Sequence, residues 1–210
     1  MEEPPYKTDA RAYLQRARCR LNEGTREALF YAAFELRCGV EARLQQYGDA
    51  HDELSRQLKR GWQIEKLAKG LDRVFQSGDK IVALELWDSG RKHKLGVLYY
   101  TPVGKDLRKD GQKLGELLHA LKFSKCKSDE FWEKTRQTLE QVARALDSAT
   151  VGTLLGPPLR HPETGEVRLK VEGQESELMS HMKAGAESGE SMWMKVEYFN
   201  RLPGGAQGAG

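Results

Sequence analysis

One segment constrains the fold of this chain more than any other, the stretch of residues 28–47. It is the most hydrophobic part of the sequence, and apolar residues recur on most sides when it is drawn as a helix. A helix that is apolar on most sides must be surrounded by other elements. The segment is therefore predicted to be the central helix of a helical bundle.

The neighbouring residues have helical spacing and helix end signals. Thr8 is expected to begin a first helix, which Gly24 ends in a left-handed conformation, and Gly48 is expected to end the central helix. A third helix is predicted over about 50–60. A fourth follows Gly61, with apolar residues on one stripe: Ile64, Leu67, Ala68, Leu71, Val74 and Phe75. Short connections between these helices predict an antiparallel bundle over residues 8–76.

The spacing of the apolar residues changes from helical to strand-like at Ser77-Gly78-Asp79. A β-hairpin is predicted from strands at 81–87 and 95–101, which flank Asp88-Ser89-Gly90. Helices over about 106–122 and from Ser128 onward follow, and then strands over 166–172 and 192–199. The predicted class is α+β: a helical bundle over 1–76, a small domain of antiparallel strands with two helices over 77–202, and a flexible tail over 203–210.

Composition limits the setting of the protein. The longest apolar run, Ala28 to Phe34, is far shorter than the ~20 residues that cross a bilayer, so no membrane segment is expected. The acidic start of the chain predicts no secretory signal. Cys19, Cys38 and Cys126 are few and widely spaced, which favours a reducing compartment such as the cytoplasm over a disulfide framework.

Charged residues interrupt the central helix. Arg37 and Glu41 stand one turn apart and can pair, and Glu35 lies close by. Buried charges must be paired or hydrogen-bonded. The three residues are predicted to form a polar network that fixes the register of the helices, with a polar site in the bundle core as the alternative.

Basic residues are concentrated in two segments. The net charge of the chain is only +3, yet residues 56–73 and 105–127 each carry a local charge of +4, while 172–190 holds five glutamates and one lysine. Such a basic face could follow a phosphate backbone or bind another partner, although solvated basic faces are common. The candidate binding residues are Lys59, Arg60, Lys66, Lys105, Arg108, Lys109 and Lys113.

Catalytic and metal-binding motifs are not found. The glycines near Lys105 lack the spacing of a phosphate loop, and the five histidines form no His-x-x-x-His pair. His119, which follows two leucines in a basic segment, is the histidine best placed to reach a groove. No cofactor and no metal are expected.

The first two helices resemble the HEPN-type helical bundles. The resemblance rests on Ala10 to Ala17, on Leu21 and Gly24, and on the alanine-rich stretch Ala28 to Arg37. It implies a frequently dimeric protein of a prokaryotic toxin–antitoxin or anti-phage system. Ribonucleases of that superfamily carry an arginine followed by a histidine after four to six residues; here seven residues separate Arg43 from His51, so the resemblance implies a non-catalytic member.

Three functional hypotheses follow. The first is a non-catalytic interaction or regulatory subunit, dimeric or bound to a protein partner, in a prokaryotic system such as a defence system. The second is an RNA- or DNA-binding module that uses the two basic segments. The third is a HEPN-like ribonuclease that uses Arg43 and His51.

Overall fold

A computed structural model describes residues 6–51, 64–118, 128–160, 163–172 and 192–203. The helices are α1 (Ala10–Glu23), α2 (Arg26–Ala50), α3 (Ile64–Phe75), α4 (Lys105–Leu117) and α5 (Asp129–Thr150). The strands are β1 (Ile81–Trp87), β2 (Lys94–Tyr100), β3 (Leu159–Arg160), β4 (Val167–Arg168) and β5 (Trp193–Phe199). Helices and antiparallel strands in separate parts confirm the α+β class.

The chain forms two compact units, and neither is continuous in sequence. A helical unit contains residues 1–74 and 103–150, and a sheet unit contains residues 75–102 and 151–210. This division differs from the expected boundary near residue 77. Both α4 and α5 pack on α2, so the two helices that were assigned to the C-terminal domain complete the bundle instead.

Local signals set the helix ends. Asp9, rather than the expected Thr8, caps α1 by accepting a hydrogen bond from the Ala12 amide at 2.9 Å. Gly24 takes the predicted left-handed conformation, with φ of 74°. Thr25 caps α2, and the helix continues past Gly48, where the sequence predicted its end, to Ala50. The helix expected over 50–60 falls outside the described residues.

Side-chain pairs give the helix directions. Arg20 lies over the Tyr31 ring and Arg16 pairs with Glu35, so α1 and α2 run antiparallel. Phe30 contacts Trp132 near one end of α5, and Arg43 reaches Ala149 at the other, so α5 runs parallel to α2. The core between these helices includes Ala33, Leu36, Val40, Leu139 and Leu146, which are all at least 95% buried.

The sheet unit contains a three-stranded antiparallel sheet of order β2-β1-β5. The predicted hairpin of β1 and β2 is present, and β5 pairs with β1 along all seven residues, from Ile81 opposite Phe199 to Trp87 opposite Trp193. The strand expected over 166–172 is shorter: β4 pairs with β3, and Val171 forms an isolated bridge with Leu154.

Candidate functional site

The charged residues of the central helix form two separate ion pairs. Glu35 accepts a 2.8 Å hydrogen bond from Arg16 Nε on α1, and the same guanidinium lies between the rings of Tyr6 and Tyr13, at 4.3 and 4.5 Å from their centroids. Arg37 Nη2 lies 3.1 Å from Glu41 Oε1, one turn along α2. The first pair joins two helices, and the second lies within one.

Space for Arg37 is provided by α4. A Cβ atom on Gly115 would stand 1.8 Å from Arg37 Nη1, so a larger residue there would require the guanidinium to move. Burial raises the pKa of Glu41, while the adjacent Arg37 acts in the opposite direction. Burial, followed by the charges of Glu41 and Glu35, raises the pKa of the Cys38 thiol to about 11. The predicted network of Glu35, Arg37 and Glu41 is therefore divided into two pairs, of which only the Arg16–Glu35 pair joins two helices.

Arg43 closes the end of a helix. Arg43 is only 1% exposed, and its Nε donates to the Ala149 carbonyl at 3.0 Å. Arg11 donates through Nε and Nη2 to the next carbonyl, Thr150 O, at 3.2 and 2.7 Å. Two arginines therefore satisfy carbonyls in the last turn of α5, where the helix dipole favours positive charge.

His51 is the second residue of the pair that the ribonuclease hypothesis assigned to catalysis. It is the C-cap residue of α2, it is 5% exposed, and its backbone amide donates to Gly48 O at 3.3 Å. Arg43 and His51 thus occupy buried positions that carry helix-end hydrogen bonds.

A third arginine has the same role on α1. Arg136 donates from Nη1 to Leu21 O at 2.9 Å and from Nη2 to Gly24 O at 3.0 Å. It lines an open groove between α1 and α5, together with Arg18, which pairs with Asp147 at 2.8 Å. Sequence reasoning missed these helix caps because their acceptors lie more than 100 residues away.

The predicted basic binding residues differ in their exposure to solvent. Lys66, Lys105, Lys109 and Lys113 are exposed, with the last three at successive turns of α4. Arg108 is 5% exposed and its Nη1 lies 2.9 Å from Asp72 Oδ2, so it joins α4 to α3 rather than facing solvent. Lys59, Arg60, His119 and residues 173–190 of the acidic stretch fall outside the described residues.

The sheet unit presents apolar side chains on one strand. Of the nine large hydrophobic residues that are exposed in the described part of the chain, four lie on β5. Val82, Leu84 and Leu86 on β1 are fully buried, whereas the β5 residues directly opposite them are 39–58% exposed. Those residues, here called the β5 patch, are Met194, Val196 and Tyr198.

A pocket of about 340 Å³ is lined by Trp87, Trp193 and Lys195 from the opposite face of the sheet, together with Arg91 and Met194. Trp87 and Trp193 are directly paired across the strands, and the Arg91 guanidinium lies over the Trp193 ring. Arg91 has a left-handed φ of 55° in the β1–β2 turn. The pocket needs the β1–β5 register, and the sequence carries no signal for that register.

Asp88 holds this turn in place. Its Oδ1 accepts hydrogen bonds from the Lys92 and His93 amides at 2.7 and 3.2 Å, and the His93 amide contributes most to the lowered pKa of Asp88. The turn therefore fixes the backbone from which Arg91 reaches the pocket.

A row of alternating charges crosses the same face. Lys94 Nζ donates to Glu85, and Lys195 Nζ lies 4.0 Å from Glu85 and 3.0 Å from Glu197. The hydrogen bond from Lys94 lowers the pKa of Glu85, and the hydrogen bond to Glu197 raises the pKa of Lys195. The ion pairs among Lys94, Glu85, Lys195 and Glu197 make this face polar at its centre.

Comparisons with known proteins identified no relative of this chain. No protein-family model, no curated protein and no solved structure matches the chain. None of the helices in the described residues is long and apolar enough to cross a membrane. Within the same residues, no group of three or more His, Cys, Asp and Glu side chains is placed to hold a metal ion.

Proposed function

We propose that this chain is a non-catalytic interaction subunit that binds its partner through the β5 side of its sheet unit. The observation that carries the proposal is the β5 patch, with Trp193 beside it: exposed apolar side chains are concentrated in six residues of one strand. Exposed apolar patches mark interaction surfaces, because leaving such area in water costs free energy that a partner recovers.

The position of the patch strengthens this argument. β5 lies at the edge of the sheet in the described residues, so its outer backbone groups face away from β1. An edge strand offers unpaired amides and carbonyls to another chain. Backbone hydrogen bonds and apolar contacts can therefore be made by the same strand.

The biological setting is proposed on the resemblance alone. The likeness of residues 10–37 to HEPN-type bundles supports the proposal that this subunit acts in a prokaryotic, defence-related system. In that setting the helical unit serves as the scaffold, since Arg11, Arg43 and Arg136 hold its helix ends together.

Affinity capture from the source organism tests the role of the β5 patch. The bait carries Val196→Lys and Tyr198→Lys, and the matched control carries Tyr31→Lys and Phe34→Lys, which replace two exposed aromatic residues on α2. We expect the first variant to lose the proteins that the wild type captures and the control to keep them. Equal capture by both variants would place the binding surface elsewhere and overturn the proposal.

A nucleic-acid-binding function is the second candidate. Lys105, Lys109 and Lys113 form an exposed stripe on α4, at the spacing of one residue per turn. Contacts from three lysines to duplex phosphates predict a binding constant that falls about 40-fold between 50 and 200 mM salt. This function depends on α4 and not on β5.

Fluorescence anisotropy with labelled RNA and DNA distinguishes this candidate. Lys105→Glu with Lys109→Glu should weaken binding, whereas Lys134→Glu with Arg144→Glu, exposed residues of α5, should leave it unchanged. Absence of binding at 50 mM salt removes the candidate.

A further inference from the structure

In the part of the chain that the structure describes, nothing pairs with the outer edge of β5, while the other edge of the sheet is partly occupied. At the β2 edge, the Leu154 amide donates to Tyr99 O at 2.9 Å, so a following segment of the chain joins that strand. At the β5 edge, the described residues place no strand beyond it. An open, mostly apolar edge of seven residues is the arrangement to which another strand adds.

The sequence of β5 is self-complementary about its central residue. It reads Trp-Met-Lys-Val-Glu-Tyr-Phe, with Val196 at the centre. In an antiparallel pair of two copies centred on Val196, Lys195 stands opposite Glu197 and Met194 stands opposite Tyr198. Trp193 then stands opposite Phe199. Opposite charges and aromatic pairs are favourable when they lie directly across two strands.

We infer that a second copy of this chain is the partner, with β5 paired antiparallel to β5 about a two-fold axis at Val196. This inference rests on the proposed interaction function and names its partner. The result is a continuous sheet of six strands, three from each copy. A two-fold interface needs one surface that complements itself, and β5 has that property.

Other registers of the same pairing are disfavoured by charge. A two-fold axis normal to the sheet keeps each face on its own side, so the register can change only in steps of two residues. One step places Lys195 against Lys195, and the step in the other direction places Glu197 against Glu197. Like charges directly opposite each other are destabilising. Either step also shortens the paired length.

Pairing in this register affects both faces of the sheet. The two copies of the β5 patch meet at the axis and become one apolar surface. On the other face, Phe199 of the second copy stands beside Trp193 and extends the wall of the pocket that Trp87 and Arg91 line. The dimer thus completes a site that is open at one side in a single copy.

Charge exchange tests the partner and the register together. Lys195→Glu alone and Glu197→Lys alone each place like charges across both halves of the interface, so each variant should dissociate at least tenfold more readily in sedimentation analysis. Mixing the two variants restores two Lys–Glu pairs, and native mass spectrometry should show the mixed dimer in excess over either homodimer. Circular dichroism confirms that each variant is folded. Variants that dimerise as tightly as the wild type, or fail to combine, would overturn the inference.

A disulfide tests the position of the axis. Residues directly opposite in an antiparallel pair have Cα atoms ~4.5–5.5 Å apart, which is within disulfide range. Val196→Cys should therefore link two copies through residue 196 on mild oxidation. Met194→Cys lies on the same face but opposite Tyr198, and it should not link to itself. Peptide mapping identifies the linked residues and separates them from Cys19, Cys38 and Cys126.

The outcomes separate this inference from the proposed function. A wild-type dimer without the 196–196 link contradicts the β5 register but leaves an interaction subunit. A wild type that stays monomeric at millimolar concentration contradicts self-association, and the affinity capture above then decides whether β5 binds a different protein.

Discussion

Arginine closes the helix ends in the helical unit. Arg11 and Arg43 donate to the last carbonyls of α5, and Arg136 donates to the last carbonyls of α1. A guanidinium suits this role because its several N–H groups can reach neighbouring carbonyls. Its positive charge also interacts favourably with the negative, C-terminal end of the helix dipole. Arg43 is the most buried of the three, so its hydrogen bonds form in the lowest dielectric.

Replacement of Arg43 by Met should therefore destabilise the protein. The change removes the 3.0 Å bond from Arg43 Nε to the buried Ala149 carbonyl and leaves the longer 3.4 Å bond from Tyr47 Oη, so we expect the free energy of unfolding to fall by about 1–2 kcal/mol. Urea denaturation followed by circular dichroism measures it. Arg18→Met is the matched control, since Arg18 makes only a half-exposed ion pair with Asp147, worth at most about 1 kcal/mol. Equal losses in the two variants would contradict a capping role for Arg43.

Cys38 should be the slower of the two described cysteines to react. With a pKa of about 11, only about one thiol in a thousand is ionised at pH 8, and the thiolate is the reactive form. Iodoacetamide labelling followed by mass spectrometry should show exposed Cys19 modified first, and 8 M urea should abolish the difference. Similar native rates at pH 8 would contradict the burial of Cys38.

The same residue predicts a pH dependence of stability. An unfolded cysteine ionises near pH 8.5, whereas native Cys38 stays neutral to about pH 11. Between these values the unfolded state binds fewer protons, so stability falls as pH rises. Cys38→Ala should reduce that fall, which denaturation midpoints at pH 8 and 10 would measure.

Glycines set the close approach of the helices. A Cβ on Gly39 of α2 would stand 2.7 Å from Leu146 Cδ2 of α5 and 3.3 Å from Tyr13 Cβ of α1, so three helices meet at this residue. Gly111 on α4 similarly lies against Val40 of α2. Small residues are needed here because the surrounding side chains are packed without free volume.

Gly39→Ala should lower the free energy of unfolding by about 1–3 kcal/mol, because the added methyl group overpacks a buried junction. This loss opposes the helix propensity that alanine gains. Gly90→Ala is the control, since its Cβ meets nothing closer than Lys92 Cγ at 3.8 Å. Thermal unfolding at 222 nm compares them, and a Gly39→Ala variant as stable as the wild type would show that the helices can separate at no cost.

At the scale of elements, the sequence predicted most of what the structure contains. The stripe of Ile64, Leu67, Ala68 and Leu71 specifies α3, and the turn at Asp88-Ser89-Gly90 specifies the hairpin of β1 and β2. These signals are local, since each depends on residues within one or two turns. Pairing of β5 with β1 joins residues more than 100 positions apart and has no local signal.

At the scale of the whole molecule, the helical unit requires segments from both sides of the hairpin. Residues 1–76 alone would expose the faces of α1 and α2 that pack on α4 and α5. We expect a fragment of residues 1–76 to unfold without a cooperative transition. A chain in which a flexible linker replaces residues 75–102 and which ends at residue 150 should fold cooperatively. Calorimetry of both chains measures whether each unfolds in a cooperative transition. Cooperative unfolding of the 1–76 fragment would contradict the division into these units.

The sequence alone determined the α+β class, the central helix, the hairpin and most element positions, because propensity, periodicity and turn residues act locally. Only the tertiary structure decided which arginines close helix ends, that Arg108 pairs with Asp72, and that α4 and α5 belong to the bundle. It also decided that Met194, Val196 and Tyr198, an alternation typical of a half-buried strand, lie exposed on the edge strand of the sheet formed by the described residues. The physical reason is that burial and pairing depend on which distant segments meet, and the local pattern does not contain that information.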